Sequence, residues 1–412
     1  VFLNQPRGRL RTIARSPWTR RVLVSAIVAV AAMLLLGIPG LQSLLPYRID
    51  LDVYRLGADV LLSGGDLYGP LGATRVGISL PFTYPPIAAA FFVVLAVVPY
   101  WAANLLLTAS TLVAIVLVQL LVVRDARLGG RTVALVAVLG ALLLGPVIET
   151  VGFGQVNALL MALVVTDLIA GRGRPWRGLL IGLAIAVKLT PAVFLAYFLV
   201  RRDWRGLLVA AGSALAWTGL GFVIAPAASV QYWTQTILDP SRIGGLAYVS
   251  NQSINGALVR LTGTGGVAWF LLCAALGIAC LFAMRRLVVA GESTSAMVIM
   301  GCYSLLASPV SWSHHWVWVA PALVVLVDRW RRTGAARFLL VAVSGIVVFV
   351  SRVVWAMPHE GNAERAWHWW QHIVGNAQVL WGLAAIATLA TMGARTRRRT
   401  PQRVGSSVPT AG

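Results

Sequence analysis

Four of the chain's 13 acidic residues, Asp50, Asp52, Asp59 and Asp66, fall in one short segment just after the first long apolar run. The segment opens Arg48-Ile49-Asp50-Leu51-Asp52-Val53-Tyr54-Arg55, so Asp50 can stand at a membrane surface beneath a cavity. A carboxylate in that position suits a general base or a cation ligand, with a helix cap or a solvated acidic loop as the plainer alternative. A second group is the pair His314-His315, within Ser308-Pro309-Val310-Ser311-Trp312-Ser313-His314-His315-Trp316-Val317-Trp318. Histidine titrates near neutrality and both gives and takes protons, and the flanking tryptophans are typical of a membrane interface. Such a pair suits a site for an amphiphilic or sugar-bearing molecule; a solvated loop pair is the alternative. Zinc fits poorly, because adjacent histidines project in different directions and no cysteine or acid stands nearby at a suitable spacing.

Lys188 is a rare lysine among 34 basic residues and lies inside an apolar stretch. An ionisable residue at such depth is a functional candidate, although a lysine can also snorkel to an interface. Glu149 with Gly154-Gln155-Val156-Asn157 marks another polar helix end, and Asn251-Gln252-Ser253-Ile254-Asn255-Gly256 a third patch. Singly each could be a cap or turn; together they would form a collar of carboxylate, amide, imidazole and ammonium groups. The aromatic and histidine-rich stretch from Trp355 to His372 reads as an interfacial helix. Cys273, Cys280 and Cys302 all sit in apolar runs without metal-type spacing and read as packing residues.

The elements that must position these groups are membrane spans. Of 412 residues, 58% are hydrophobic and 11% charged, whereas a soluble domain carries charge on about a quarter of its residues. Apolar segments near the about 20 residues of a bilayer crossing recur along the chain. The formal charge of +21 comes from short arginine clusters between apolar runs, which argues against nucleic-acid binding and for topology signals. Lys- and Arg-rich loops stay in the cytoplasm. Arg7 to Arg21, Arg124 to Arg131, Arg172 to Arg177, Arg201 to Arg205, Arg285 with Arg286, Arg329 to Arg332 and Arg395 to Arg403 are therefore assigned inside. Both termini are then cytoplasmic, and residues 41–83, 149–155, 226–262, 308–315 and 353–372, with every histidine, face outward.

Between these markers Pro85 to Val123 must cross an odd number of times and Gly178 to Val200 an even number. Broken or re-entrant helices answer this, the second stretch being interrupted at Lys188-Leu189-Thr190-Pro191. Irregular backbone at that depth is tolerated where it lines a cavity. About twelve spans are expected, or ten with a re-entrant hairpin. The expected layout is a basic cytoplasmic N-terminus over 1–21, one transmembrane domain over 22–394 and a disordered cytoplasmic tail over 395–412. A secondary transporter of this size would commonly show inverted repeats and midplane charges; here no repeat is evident and the acids cluster at one face.

In their order, the words Asp50-Leu-Asp-Val-Tyr54, Thr83-Tyr84-Pro85-Pro86, Gly154-Gln155-Val156-Asn157, Lys188-Leu-Thr-Pro191, Asn251-Gln252-Ser253 and Ser308-Pro-Val-Ser-Trp-Ser-His-His315 resemble a family. It is the C-superfamily (GT-C) glycosyltransferases of actinobacteria that use polyprenyl-phosphate sugars, and the likeness covers roughly residues 45–325. It implies an all-α polytopic GT-C fold with an outer-face cavity. It further implies an inverting α-1,2-mannosyltransferase that carries mannose from polyprenyl-phosphate mannose to a phosphatidylinositol mannoside outside the plasma membrane. Asp50 would be the base, with His314 as its partner or that of the donor phosphate and His315 close behind; which of the two rings points inward stays open. His315, Lys188 and Arg260 would face that phosphate, and Asp52, Tyr54, Tyr84, Glu149, Gln155, Asn157, Asn251 and Gln252 would complete substrate binding. No cofactor or metal is expected, since a monophosphate donor presents no diphosphate to bridge. An arabinofuranosyl or lipomannan-branching mannosyl transferase of the same family carries the same words and stays open. Acceptor choice would rest on residues 226–250 and 353–372.

Overall fold

A computed structural model describes residues 16–37 and 46–391, so the arginines before Ser16 and the tail from Arg395 lie outside the described residues. The described chain is helical, with extended pairing limited to one isolated bridge between Asn251 and Trp312. Pro17–Leu36, Tyr100–Asp125, Trp204–Ile224 and Gly266–Val289 are each long and apolar enough to cross a membrane. Two bent pairs, Arg131–Leu142 with Gly145–Phe153 (60°) and Trp369–Gly375 with Ala377–Ala390 (65°), raise the number to as many as six. Five more apolar helices run 10–17 residues, short of the about 20 that a straight crossing takes. The chain is thus an all-α polytopic membrane protein, and length with hydropathy accounts for up to six of the spans expected. Its main apolar core is a cluster running from Leu51 to Leu389, with a small separate one of Val249, Val354, Met357 and Trp367 under the loops at one end.

The arginine clusters gather at one end. Arg172 pairs with Asp125, which also accepts from Thr294, and Arg329 pairs with Glu292. Arg332 reaches the Ala126 carbonyl at 3.0 Å, and Arg201 the Ser293 hydroxyl at 2.7 Å. The segments assigned outward gather at the other end. Arg352 pairs with Glu149 at 3.1 Å, Val249 donates its N–H to Glu364 at 3.0 Å, and Gln252 donates to the Gly375 carbonyl at 2.7 Å. Tyr100–Asp125 joins the two ends, and its 26 residues rise about 39 Å at about 1.5 Å per residue.

The two awkward stretches resolve differently. In the first, Pro86–Ala96 has 11 residues, about 16 Å of helix against about 30 Å of hydrocarbon, leaving Tyr100–Asp125 as the one crossing. In the second, Leu179–Val187 ends at Lys188, whose backbone is extended, and a 3-10 turn over Thr190–Phe194 leads into Leu195–Arg201. The chain then returns to its starting end, where Arg177 pairs with Asp203 at 2.8 Å and the Arg177 guanidinium lies 5.5 Å from the Phe198 ring centre. The stretch is a re-entrant pair of short helices with Lys188 at its tip. Asp167 caps the entering helix, accepting the N–H groups of Gly178, Leu180 and Ile181 at 2.7, 2.9 and 3.1 Å. Gly178, at φ +100°, lets that helix touch Trp204–Ile224, since a Cβ there would stand 2.3 Å from the Gly206 carbonyl oxygen.

Candidate active site

The helix Ile49–Leu62 carries Asp50, Val53 and Tyr54 on one face, at i, i+3 and i+4, and these line an open cavity of about 650 Å³. Its first turn is held by Arg48, which is buried without a carboxylate partner. The guanidinium donates to Asn104 Oδ1 at 2.6 Å, to the Leu34 carbonyl at 2.8 Å and to the Val151 carbonyl, while the Arg48 N–H donates to the Tyr100 hydroxyl at 2.8 Å. Three helices are thereby fixed to the residue two places before Asp50. Gly154, at φ +76°, permits the close approach behind it, because a Cβ there would lie 3.0 Å from those of Arg48 and Leu51.

Gln155 is oriented by two tyrosines. Tyr54 and Tyr84 donate their hydroxyls to its Oε1 at 2.8 and 3.0 Å, so the amide nitrogen is the atom left to bond the Asp50 carboxylate. Burial pushes the Asp50 carboxyl up to about 6, against the opposing effects of the Gln155 hydrogen bond and the Lys188 charge. A carboxylate so tuned is ionised at neutral pH and still basic. Lys188 donates to Asn157 Oδ1 at 3.2 Å and sits 5.4 Å from the Tyr84 ring centre. Asn157, Lys188 and His315 also border a smaller recess of about 40 Å³ beside the cavity.

The histidine pair divides. His315 is on the cavity wall, whereas His314 turns behind it against Phe153, ring centres 4.8 Å apart, with both ring nitrogens buried and unpartnered. The cause is local: Ser313–Trp318 is a 3-10 turn, and consecutive residues there point about 120° apart. Of the two rings that the sequence leaves open, His315 meets the cavity, and His314, expected at the same site, lies off it. Burial and then the Lys188 charge push His315 well below the usual imidazole range, so it meets a ligand as a neutral ring.

Other expected site residues also sit off the cavity. Asp52 is on the opposite helix face, accepting from the Tyr47 hydroxyl at 3.1 Å and the Arg75 N–H at 2.8 Å, which ties down the loop behind it. Glu149 binds Ser313, Arg352 and the Trp355 indole, the last at 2.7 Å. Asn251 and Gln252 hold backbone: the Asn251 amide donates to the Leu246 carbonyl at 3.0 Å, and that of Gln252 to the Val249 carbonyl at 2.7 Å. Arg260 donates to the carbonyls of Ala247, Tyr248 and Asn251 at 3.2, 3.0 and 2.9 Å, and lies 5.6 Å from the Trp367 ring centre. These groups knot the loops at the cavity end through bonds to neighbouring backbone and side chains, although Gln252 Oε1 and Arg260 Nε stay buried without a partner. Conversely, the cavity takes in Arg242 and Tyr232, whose only sequence signal is membership of a segment assigned outward, and Trp312, which the sequence marks only as an aromatic of the histidine word. Arg242 also donates to the Tyr68 carbonyl at 2.6 Å. Among the described residues no three His, Cys, Asp or Glu side chains converge as a metal site requires.

Residues 82–309, more than half the chain, match the model of glycosyltransferase family 87. The chain belongs to glycosyltransferase family 87. A Mycobacterium tuberculosis relative named polyprenol-phosphate-mannose-dependent alpha-(1-2)-phosphatidylinositol mannoside mannosyltransferase is 42% identical over 87% of this chain and 87% of its own length. Its namesake in Mycolicibacterium smegmatis is 37% identical over 84% of both chains. A second M. smegmatis relative, named for a phosphatidylinositol pentamannoside acceptor, is 30% identical over 84% of both. The family-87 match takes in Tyr84, Gln155, Asn157, Lys188 and Arg242, while Asp50 precedes it and the histidine pair follows it.

Proposed function

We propose that this family-87 glycosyltransferase is an inverting α-1,2-mannosyltransferase. It moves mannose from polyprenyl-phosphate mannose to a phosphatidylinositol mannoside on the outer side of the plasma membrane. The observation that carries the reading is one cavity lined by both a raised carboxyl, Asp50, and a cation, Lys188, whose charge acts on it. In the reaction the acceptor hydroxyl oxygen forms a bond to the anomeric carbon as the bond from that carbon to the phosphate oxygen breaks. Asp50 takes the hydroxyl proton, and the electron pair leaves with polyprenyl phosphate. A phosphate needs little protonation to depart, unlike the alcohol leaving group of glycoside hydrolysis, so one carboxylate is enough. Lys188 and the neutral His315 ring meet the charge that gathers on the phosphate. The β-linked donor yields an α-linked product because attack comes from the face opposite the leaving group. A GT-C arrangement, with the reaction chamber at one membrane face, suits lipid-borne donor and acceptor alike.

The test is mannose transfer by the purified protein from polyprenyl-phosphate mannose to phosphatidylinositol mannosides, read by product mass and linkage. An α-1,2 product is expected; arabinose transfer instead would favour the arabinofuranosyl alternative, and no transfer at all would remove the reading. Orientation has its own measurement. The arginine end is assigned to the cytoplasm and the cavity end to the exterior, with both termini inside. A cysteine at Ser63 is expected to react with an impermeant thiol reagent in intact cells, and one at Gly173 is not. Reversed labelling would invert the molecule.

A further inference from the structure

A second crevice of about 540 Å³ lies at the cavity end of the molecule, within the about 300–1,000 Å³ range of small-ligand sites. Arg242 and Ile243 line the catalytic cavity, and the next residues, Gly244 to Ala247, line the crevice, so one strap of chain separates the two. The strap is held close: a Cβ on Gly244 would lie 3.1 Å from the Trp312 ring of the catalytic cavity. The floor is joined to the same cavity by Asn255, which donates to the Pro309 carbonyl at 3.1 Å and against whose amide Gly265 packs without room for a Cβ. The same crevice is lined by Trp269, whose indole N–H is buried and has no acceptor, and by Asn362 and Arg365 from the late loop. An aromatic ring with an idle donor, amides, a guanidinium and bare glycine backbone offers planar packing and directional hydrogen bonds to a polyhydroxylated ring. The frame is rigid, because the buried Arg260 clamps the Ala247 and Tyr248 carbonyls and Glu364 holds the Val249 N–H.

We infer that this crevice is a glycan subsite, taking mannose units of the acceptor glycolipid that lie beyond the reacting one. The inference rests on the proposed reaction and extends it, since it assigns acceptor size to residues the chemistry does not touch. The crevice draws walls from both segments, 226–250 and 353–372, that sequence reading left for acceptor choice. A short acceptor would occupy the catalytic cavity alone, whereas a glycolipid bearing several mannoses would cross the strap.

The experiment uses the full-length enzyme in detergent with two acceptors, octyl α-D-mannoside and a phosphatidylinositol mannoside carrying several mannose units. Gly245→Val fills the crevice, and Arg365→Gln removes a charged donor; both positions are exposed and Gly245 lies outside the left-handed region, so folding is retained. Each variant is expected to raise KM for the large acceptor at least about fivefold, Arg365→Gln by the loss of one hydrogen bond and Gly245→Val by occupying the space a sugar would take. Turnover of octyl mannoside and KM for the donor should stay at the wild-type values. Equal effects on both acceptors, or none on either, would overturn the subsite while leaving the reaction intact. A wild-type enzyme that mannosylates neither acceptor overturns the reaction reading and the subsite with it.

Discussion

Asp50→Asn is expected to lower turnover by about 10³-fold or more, within the range a positioned general base supplies, while the protein inserts and folds normally. Asparagine keeps the shape and can still accept from the Gln155 amide, so acceptor KM should move little and the loss should appear in kcat. Turnover retained above a few per cent would remove Asp50 from the role of base. The wild-type enzyme carries a pH signature of the same group. Burial raises the Asp50 carboxyl to about 6, and the active form is the carboxylate, so kcat/KM should rise through about pH 6 and level off above it. A profile that is flat between pH 5 and pH 7 would place the base elsewhere.

Lys188→Gln is expected to cost about 10²–10³-fold in kcat, the scale of losing one donor to a developing oxyanion. Of the two groups assigned to the phosphate leaving group, only the neutral His315 ring then remains. The variant should also displace the pH profile. The Lys188 charge lowers the Asp50 carboxyl, so removing it moves the acid limb of kcat/KM to higher pH. A structural lysine would change neither the limb nor the chemical step, and an unmoved limb with full turnover would sink the assignment. His315→Ala should share part of the kcat loss. His314→Ala should act on yield and thermal stability, because its ring packs on Phe153 and not on the cavity. Equal kinetic losses at the two histidines would show that the 3-10 turn is misassigned.

The contrast between His314 and His315 shows where sequence reasoning stops. Two adjacent histidines in an outward segment are legible as a polar interface feature, but which ring meets a ligand depends on the turn they adopt. Nothing in the residue types chooses a 3-10 turn over an α-turn. Asp50 and Asp52 are easier to separate because helix geometry is regular enough to extrapolate: residues two apart face opposite ways, and Asp50 shares its face with Tyr54. Arg260 and Glu149 illustrate the opposite difficulty. A buried charge signals function and structural clamping equally well in a sequence, and the choice is made by whether backbone carbonyls or a cavity stand around it.

By itself the sequence determined a basic, apolar, polytopic chain with two sets of loops. Composition and the periodic return of arginine are properties of the chain that need no packing to read. It also determined the re-entrant interruption at Lys188, because an ionisable residue and a proline within an apolar stretch need a cavity wherever they fall. The tertiary structure alone decided that Asp50, Tyr54, Tyr84, Gln155, Lys188 and His315 surround one space. It alone decided that Asp52, Glu149, Asn251, Gln252 and Arg260 brace the loops at the cavity end instead. The reason is that these residues are brought together across as many as about 265 positions of chain, and such contacts are set by how short helices pack and which face each presents, information that no local window contains.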